Sequence, residues 1–168
     1  MEFSKLIAKR HSVRNYLPDK VESEKRDAIL EAGRIAPTAA NLQPLKVLVI
    51  EEKSNLSKLE KAANIYDAPL AFIVCADSGI AWKRPFDSKQ TTDIDASIVT
   101  DHMMLQAESL GLGSVWICYF KPDILKTELN IPDNLEVINI LAVGYSAETK
   151  APEKVRKSME QFAFFEHL

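Results

Sequence analysis

The sequence is poor in cysteine and has no long apolar run, and both absences narrow the class of protein. Its 168 residues include two cysteines, Cys75 and Cys118, so neither a disulfide framework nor a CxxC metal motif is present. Each cysteine stands within an apolar segment, which predicts two buried, reduced thiols. No stretch approaches the roughly 18 apolar residues that span a bilayer, and the N-terminus lacks a signal-peptide core. We therefore expect an unprocessed cytoplasmic protein with no membrane partner.

An excess of either charge is also missing. Lysine and arginine number 21 and aspartate and glutamate 24, which gives a net charge of -3. Proteins dedicated to nucleic acids carry strongly basic surfaces, so no nucleic-acid partner is expected. Hydrophobic residues make up 46% and charged residues 27%, as in globular chains. Glycine and proline are scattered without a linker-like cluster, which predicts a single domain over residues 1–168.

Apolar spacing predicts alternating helices and strands. Helices are expected at residues 2–9, 23–36, 54–63, 92–110 and 123–129. Strands are expected at residues 46–50, 70–76, 114–118 and 137–143. The alternation by itself favours a parallel α/β sheet.

The predicted helix at 92–110 stands out for its length and its two apolar seams. It opens with Thr92 and Asp95 in capping-box spacing. The wide apolar stripe predicts burial over more than one face, in the core or against a partner subunit. The seam around Val99 and Met103 is a candidate surface for that subunit contact.

A cationic motif, ArgHisSerValArg at residues 10–14, follows the first predicted helix. In an extended chain Arg10, Ser12 and Arg14 point to one side, which offers two guanidinium groups and a hydroxyl to a phosphate. His11 then faces the other way and suits packing or hydrogen bonding better than the role of a base. The alternative interpretation is a solvated basic turn.

A polar loop at residues 37–44 begins and ends with proline. If the loop is extended, Asn41 and Gln43 share a face, and their amides offer donors and acceptors to the edge of a heterocycle. The alternative is an amide pair that caps the neighbouring helix or strand.

A Gly-Leu-Gly run at 111–113 is not a dinucleotide-binding fingerprint. Trp116 occupies the position of the third glycine, and the run leaves a helix and enters a strand. Its small residues fit instead a close approach of the main chain to a flat ligand.

Basic residues follow the last predicted strand. They are Lys150, Lys154, Arg156 and Lys157. They form either a solvated face or a second phosphate clamp. Motifs for other chemistries are absent: there is no HExxH, GxSxG or P-loop, and no metal site is expected.

Taken in order, these segments resemble the motifs of the FMN-dependent nitroreductase family. They are ArgHisSerValArg (10–14), AlaProThrAlaAlaAsnLeuGlnPro (36–44), GluSerLeuGlyLeuGlySerValTrpIle (108–117) and AlaValGlyTyr (142–145) with a basic residue near 156. The resemblance implies an α+β fold of three layers, α/β/α, around a mainly antiparallel sheet, in place of the parallel one. It also implies a homodimer with FMN at the subunit interface and NADH or NADPH as the reductant.

The resemblance further implies which residues hold the cofactor. Those of one subunit are Arg10, Ser12 and Arg14, with Arg156 helping at the phosphate. The main chain around Trp116 and Ile117 would pass the flavin ring, and His11 and Lys154 are further candidates. The phosphate-binding residue of the tail is left open among Lys150, Lys154 and Arg156. Those of the other subunit are Pro37, Thr38, Ala39, Asn41 and Gln43. No side chain is expected to act as a catalytic nucleophile. Arg14 would stabilise the negative charge that develops on the reduced flavin.

The implied activity is that of an oxidoreductase with a ping-pong cycle. NAD(P)H reduces FMN and leaves; a small acceptor, such as a nitroaromatic or a quinone, then binds in the place that NAD(P)H has left. A flavin-binding or storage protein without turnover is an open alternative, as is a same-fold enzyme with an ene-reductase or dehalogenase type of acceptor.

One segment, residues 77–90, matches no motif. It carries Trp82, Lys83 and Phe86, which are candidate substrate-binding residues because loops after strands often carry binding groups. The aromatic residues are either a lid over a planar ligand or anchors that pin the loop to the body of the protein.

Overall fold

The computed structural model describes residues 2–167, and within them the chain forms six α-helices and four strands. The helices are α1 (Phe3–Lys9), α2 (Ser23–Arg34), α3 (Lys53–Glu60), α4 (Thr92–Ser109), α5 (Pro122–Leu129) and α6 (Met159–Phe162). The strands are β1 (Leu45–Ile50), β2 (Leu70–Asp77), β3 (Gly113–Ile117) and β4 (Leu135–Gly144). Every predicted helix and strand is present near its predicted limits, whereas α6 was not predicted. Of the helices described, none has the length and apolar character needed to cross a bilayer.

The four strands lie in the order β1-β2-β4-β3, and every neighbouring pair is antiparallel. The parallel sheet favoured by the alternation is therefore wrong, and the antiparallel sheet implied by the resemblance is confirmed. The reason is that β2 and β4 are central strands buried on both faces, and such continuous apolar runs look alike in parallel and antiparallel sheets.

Helices cover both faces of the sheet, which makes three layers. On one face Leu59 of α3 and Leu125 of α5 are fully buried in the first core cluster. On the other face α4 packs against the sheet, and α2 packs against α4. A Cβ added at Gly33 of α2 would lie 2.8 Å from Met103 Cγ, so these two helices cross at close contact.

The seam of α4 around Val99 and Met103 is buried within the protomer, so the expectation that it offers a subunit contact is wrong. The second seam, which includes Ile94, remains partly exposed. The N-cap of α4 is Thr91 rather than Thr92, and its side chain makes no capping hydrogen bond, so the predicted capping box is wrong. The Thr91 hydroxyl donates instead to Asp95 Oδ2, four residues on, over 2.9 Å.

The two cysteines differ in environment. Cys75 of β2 is buried as predicted, and burial raises the pKa of its thiol to about 11. Cys118 is exposed, so its predicted burial is wrong. Cys118 is exposed because β3 ends at Ile117 and the chain leaves the sheet at the next residue.

Candidate functional site

The antiparallel sheet has two ends with different chemistry. Because β1 and β2 are antiparallel, and β2 and β3 are both antiparallel to β4, the start of β1 and the ends of β2 and β3 share one end. We call it the loop end, and it carries residues 37–44, 78–91 and 118–121. The opposite end, where β3 starts and β4 finishes, is called the cationic end.

At the cationic end the motif 10–14 lies along the outer edge of β3. Ser12 forms a parallel bridge with Ser114, and the Val13 N–H donates to the Ser114 carbonyl over 2.9 Å. Val13 is buried and fills the space beside Gly113, where an added Cβ would lie 2.6 Å from Val13 Cγ2. Gly113 therefore admits Val13, which gives this glycine a packing role; the close approach of a flat ligand to the run stays a prediction.

The chain that follows the motif is fixed against the segment after β4. Tyr16 bridges Ser146, and the Leu17 N–H donates to the Tyr145 carbonyl over 2.8 Å. The Tyr16 hydroxyl donates to the Ala142 carbonyl, and burial raises the pKa of Tyr16 well above its ordinary value. The main chain of the motif is thus held between β3 and this segment, and Tyr16 supports the fold as a neutral phenol.

Glu148 joins two residues of the motif. Its Oε1 accepts the Arg14 N–H over 2.8 Å, and its Oε2 lies 3.2 Å from His11 Nε2. His11 therefore makes the hydrogen bond expected of it. Glu148 was missed by the sequence analysis because 134 residues separate it from Arg14 and no local pattern marks it.

The motif and the C-terminal tail enclose a cationic cleft of ≈ 210 Å³. It is lined by Arg10, His11, Ser12, Arg14, Pro152, Glu153, Lys154 and Arg156. Loss of solvent around Lys154, followed by repulsion from Arg10 and Arg156, lowers the pKa of this lysine. Among residues 2–167, neither Arg14 nor these three cations forms a salt bridge. Crowded cations without carboxylate partners are suited to an anion such as a phosphate.

Beyond Ser114 the outer edge of β3 is open in the described part of the chain. The Ser114 carbonyl points outward to Val13, and main-chain groups alternate in direction along a strand. The N–H and C=O of Trp116 therefore also point outward, whereas those of Ile117 face β4. The side chain of Trp116 is half-buried and that of Ile117 is buried. An adjacent donor and acceptor on an open edge can bind the edge of a planar heterocycle.

At the loop end, residues 37–43 form a tight turn, with a 3₁₀ segment at Ala39–Asn41. The φ angles of Ala40, Asn41 and Gln43 are 51°, 54° and 50°. The expectation of an extended loop is therefore wrong. The Thr38 side chain is the cause, since its Oγ1 accepts the Gln43 N–H and closes the turn. The two amides still meet, because Gln43 Nε2 donates to Asn41 Oδ1 over 3.3 Å.

One buried carboxylate fixes this turn to α4. Asp95 is 1% exposed, and its Oδ1 accepts the Ala39 N–H over 2.8 Å. Its Oδ2 accepts the Thr91 hydroxyl described above. The sequence analysis assigned Asp95 only a capping role. Its position next to Ala96, in a seam predicted to be buried, was the one sign in the sequence that this carboxylate is buried.

The segment 78–91 forms a small hairpin at the same end. Lys83 bridges Gln90, and the Thr91 N–H donates to the Trp82 carbonyl over 3.1 Å. Phe86 at the tip is 95% exposed, so it anchors nothing within the protomer. Trp82 is half-buried and Lys83 exposed. An exposed aromatic residue on an ordered hairpin can contact a ligand or a second chain.

The two groups of candidate residues lie far apart in one protomer. Residues 37–43 precede β1 at one edge of the sheet, whereas motif 10–14 borders β3 at the other. The turn contacts Asp95 in the first turn of α4, and the motif contacts Ser114, which follows the last turn. Since α4 has 18 residues and rises about 1.5 Å per residue, the separation exceeds roughly 20 Å. The structure brings together the cations, Ser12 and the open edge at Trp116, but not the amides.

Comparison with known proteins places these features in context. The model of the Nitroreductase family matches residues 7–65 and 51–145. A curated relative from Archaeoglobus fulgidus, whose name includes the words NAD(P)H nitroreductase, is 32% identical over 157 residues, which cover 89% of this chain and 88% of that protein.

Solved structures agree with this match. A nitroreductase family protein from Clostridium difficile 630 is 55% identical, with a TM-score of 0.96 and coverage of 100% of both chains. A protein described as an FMN-dependent nitroreductase, from Clostridium difficile R20291, is 30% identical with a TM-score of 0.83, over 97% of this chain and 98% of that one.

Proposed function

The chain belongs to the nitroreductase family, and from that membership we propose that it binds FMN and uses NADH or NADPH to reduce small acceptors such as nitroaromatics or quinones. The observation that carries the proposal is the cationic cleft beside an open strand edge, at the positions where the family resemblance puts the cofactor. The names of the relatives from Archaeoglobus fulgidus and Clostridium difficile R20291 support both the reductant and the cofactor.

The residues of this chain fit FMN at both of its polar parts. Loss of solvent chiefly lowers the pKa of Lys154, and repulsion from Arg10 and Arg156 lowers it further; a phosphate dianion would offset that repulsion. The outward N–H and C=O of Trp116 match the alternating donors and acceptors of a pyrimidine edge. Ser12 and Arg14 line the cationic cleft, and Ser12 also borders β3 two residues before Trp116.

When bound, FMN supplies the acceptance and donation of an electron pair that no side chain of this protein can perform. The chain's own residues bind and orient the group. The Arg14 guanidinium has no salt-bridge partner within residues 2–167, and it would place its positive charge beside the pyrimidine side of the bound group. Such a charge favours the state in which that ring carries negative charge.

We propose a homodimer in which Asn41 and Gln43 of the partner complete each site, because the turn that bears them lies more than roughly 20 Å from the cationic motif of its own chain. The exposed apolar surface supports this arrangement. It includes Phe3 of α1, Ile35 after α2, and Val155, Phe162 and Phe165 of the C-terminal segment. Burial of such side chains against a second copy of the chain would stabilise the dimer.

We propose the hairpin at 78–91 as the acceptor-binding element, with Phe86 and Trp82 against a planar acceptor or nicotinamide and Lys83 near a phosphate. Arg84 is less suited to that phosphate, because its guanidinium already pairs with Asp87. One shared place for reductant and acceptor accounts for the ping-pong order in which each leaves before the next binds. We further propose one domain over residues 1–168, acting in the cytoplasm, where exposed Cys118 stays reduced.

The central experiment is anaerobic mixing of the FMN-loaded protein with NADH and with NADPH, followed by a panel of acceptors. We expect loss of the flavin absorbance at about 450 nm and its return when a nitroaromatic or quinone is added. A protein that keeps its flavin absorbance with both reductants would be a storage protein. A preparation that stays colourless after incubation with FMN would contradict the whole proposal.

A variant pair tests the assigned cation. Arg14→Ala should weaken FMN binding by about 1.5 to 3 kcal/mol, because a charge-assisted hydrogen bond is lost. Arg26→Ala is the matched control, since Arg26 pairs with Asp27 and Glu51 away from β3. Titration of flavin fluorescence measures both affinities, and equal affinities would return Arg14 to the role of a solvated turn residue.

A further inference from the structure

Tyr66 lies in the turn between α3 and β2 and has a backbone conformation that is unusual for an aromatic residue. The φ angles of Tyr66 and Asp67 are 59° and 58°. Asn64 Oδ1 accepts the Tyr66 N–H over 2.9 Å, and the Ala68 N–H donates to the Ile65 carbonyl. Ile65 and Ala68 are both buried, so the turn is fixed on either side of the ring.

The turn places the Tyr66 ring in contact with both the core and the Arg14 side chain. The ring packs against the core cluster that contains Ile65. The Arg14 guanidinium carbon lies over the same ring, 5.9 Å from its centroid. A guanidinium at this distance is attracted electrostatically by the face of the ring.

The main chain and the side chain of Arg14 are held by different partners. Glu148 fixes the main chain through the Arg14 N–H, and its second oxygen is engaged with His11. A long exposed side chain would otherwise keep its rotamer freedom and lose it only on binding a ligand. Contact with Tyr66 removes part of that freedom beforehand.

An aromatic partner and a carboxylate differ in how much of the guanidinium's charge and hydrogen-bonding capacity they leave available for a ligand. A carboxylate would order the guanidinium but would cancel its charge and occupy its N–H groups. A ring face orders the guanidinium and leaves its donors at the rim for an anion or a carbonyl.

We propose that Tyr66 is a positioning residue: its ring holds the Arg14 guanidinium in place, with its charge intact, for the pyrimidine side of FMN. The inference rests on the proposed function, since Arg14 is there assigned to the cofactor. No motif marks Tyr66 in the sequence, and the contact joins residues far apart in the chain.

The test compares Tyr66→Leu with Tyr66→Phe, which keeps the ring. Tyr66→Leu should weaken FMN binding about two- to fivefold, the range expected of an exposed cation–π contact. It should also move the midpoint potential of bound FMN in the direction that Arg14→Ala moves it. Tyr66→Phe should restore both quantities to wild-type values, and circular dichroism on each variant checks that the fold is intact.

A double variant distinguishes positioning from general support. In the Arg14→Ala background, Tyr66→Leu should cause no further loss of FMN affinity, because the group that the ring positions is gone. Full additivity of the two losses would overturn the proposal. Equal loss in Tyr66→Phe and Tyr66→Leu would also overturn it, since the hydroxyl rather than the ring would then be responsible.

The apoprotein supplies a readout that does not depend on FMN. The proton resonances of the Arg14 side chain should show a ring-current shift in wild type and Tyr66→Phe that disappears in Tyr66→Leu. Absence of that shift in wild type overturns the inference whatever the protein binds. A wild-type protein with the shift but no affinity for FMN refutes the proposed function, and the proposed role of Tyr66 toward the cofactor fails with it.

Discussion

The two ends of the sheet present polar groups in different ways. At the cationic end, the charged side chains project from a motif whose main chain is hydrogen-bonded to Ser114 on one side and to Glu148 on the other. At the loop end, the amides of Asn41 and Gln43 project from a turn with positive φ angles that one buried carboxylate, Asp95, fixes to α4. The first end thus depends on many distributed contacts and the second on few.

This difference indicates which interactions the stability of each half of the site depends on. Repulsion among the cations favours an anion, so the cationic end gains stability when its ligand binds. The loop end carries backbone strain that its few hydrogen bonds must offset. Four substitutions or measurements, from the largest expected effect to the smallest, test the comparison.

Asp95→Ala should have the largest effect. It removes two hydrogen bonds to a buried carboxylate and should lower the free energy of unfolding by about 3 kcal/mol. Urea denaturation measures the change. Asp93→Ala, an exposed position of the same helical turn, is the control and should cost under about 1 kcal/mol. Equal stability of the two variants would show that the turn does not depend on Asp95.

Gly113→Ala should disturb the cationic end. The added Cβ would overlap Val13 and displace the motif from β3, at a cost of about 1 to 3 kcal/mol, with weaker FMN binding. Gly111→Ala is the matched control. It meets no atom within 4 Å but has a φ of 80°, so it should cost about 1 kcal/mol and leave FMN affinity unchanged. Wild-type FMN affinity in Gly113→Ala would mean that the motif need not lie against β3.

The two thiols allow the buried sheet to be compared with the exposed loop end, because Cys75 lies in the sheet and Cys118 at the loop end. The pKa of Cys75 is raised from 9.0 to about 11, so the folded state keeps its proton while the unfolded state releases one. Stability from this group is complete below pH 9 and is lost as pH rises toward about 11, by at most about 1.4 kcal/mol per pH unit.

Denaturation of wild type and Cys75→Ala between about pH 8 and 10.5 measures the difference in slope. A thiol reagent should modify Cys118 in the folded protein and Cys75 only after unfolding. Parallel stability curves, or early modification of Cys75, would contradict this assignment.

Phe86→Ala should have the smallest effect on stability, within about 0.5 kcal/mol, because the ring has almost no contact with the protomer. We expect a raised KM for aromatic acceptors with little change in FMN content. Trp82→Ala, at a half-buried position, should cost more stability. Unchanged kinetics in Phe86→Ala would leave the hairpin without a role in acceptor binding.

The two ends also differ in how far the sequence predicts them. Arg10, Ser12 and Arg14 line one cleft, as period-two facing predicts, but His11 lines it too, so the predicted opposite facing of His11 is wrong. The turn at Ala40 and Asn41 was missed, since left-handed angles at residues other than glycine leave no reliable mark in the sequence.

Partners distant in the chain were missed for a related reason. Glu148 and Tyr66 act on Arg14 through tertiary contacts, and neither belongs to a periodic pattern. Helices and strands were predicted well because apolar spacing is local, whereas strand direction was not, because burial on both faces hides it. The antiparallel sheet followed only from the resemblance carried by the four motifs.

The contact between Arg14 and Glu148 has a consequence for how the protein is made. These residues are separated by 134 positions, so the motif near the N-terminus leaves the ribosome long before its partners exist. At about 5 to 20 residues per second, the delay is on the order of ten seconds. Until then the motif lacks the carboxylate that fixes the Arg14 main chain, and contacts of such high sequence separation slow folding because a long loop must close first. Cofactor loading is therefore a post-translational event, and a nascent chain truncated before Glu148 should emerge without flavin.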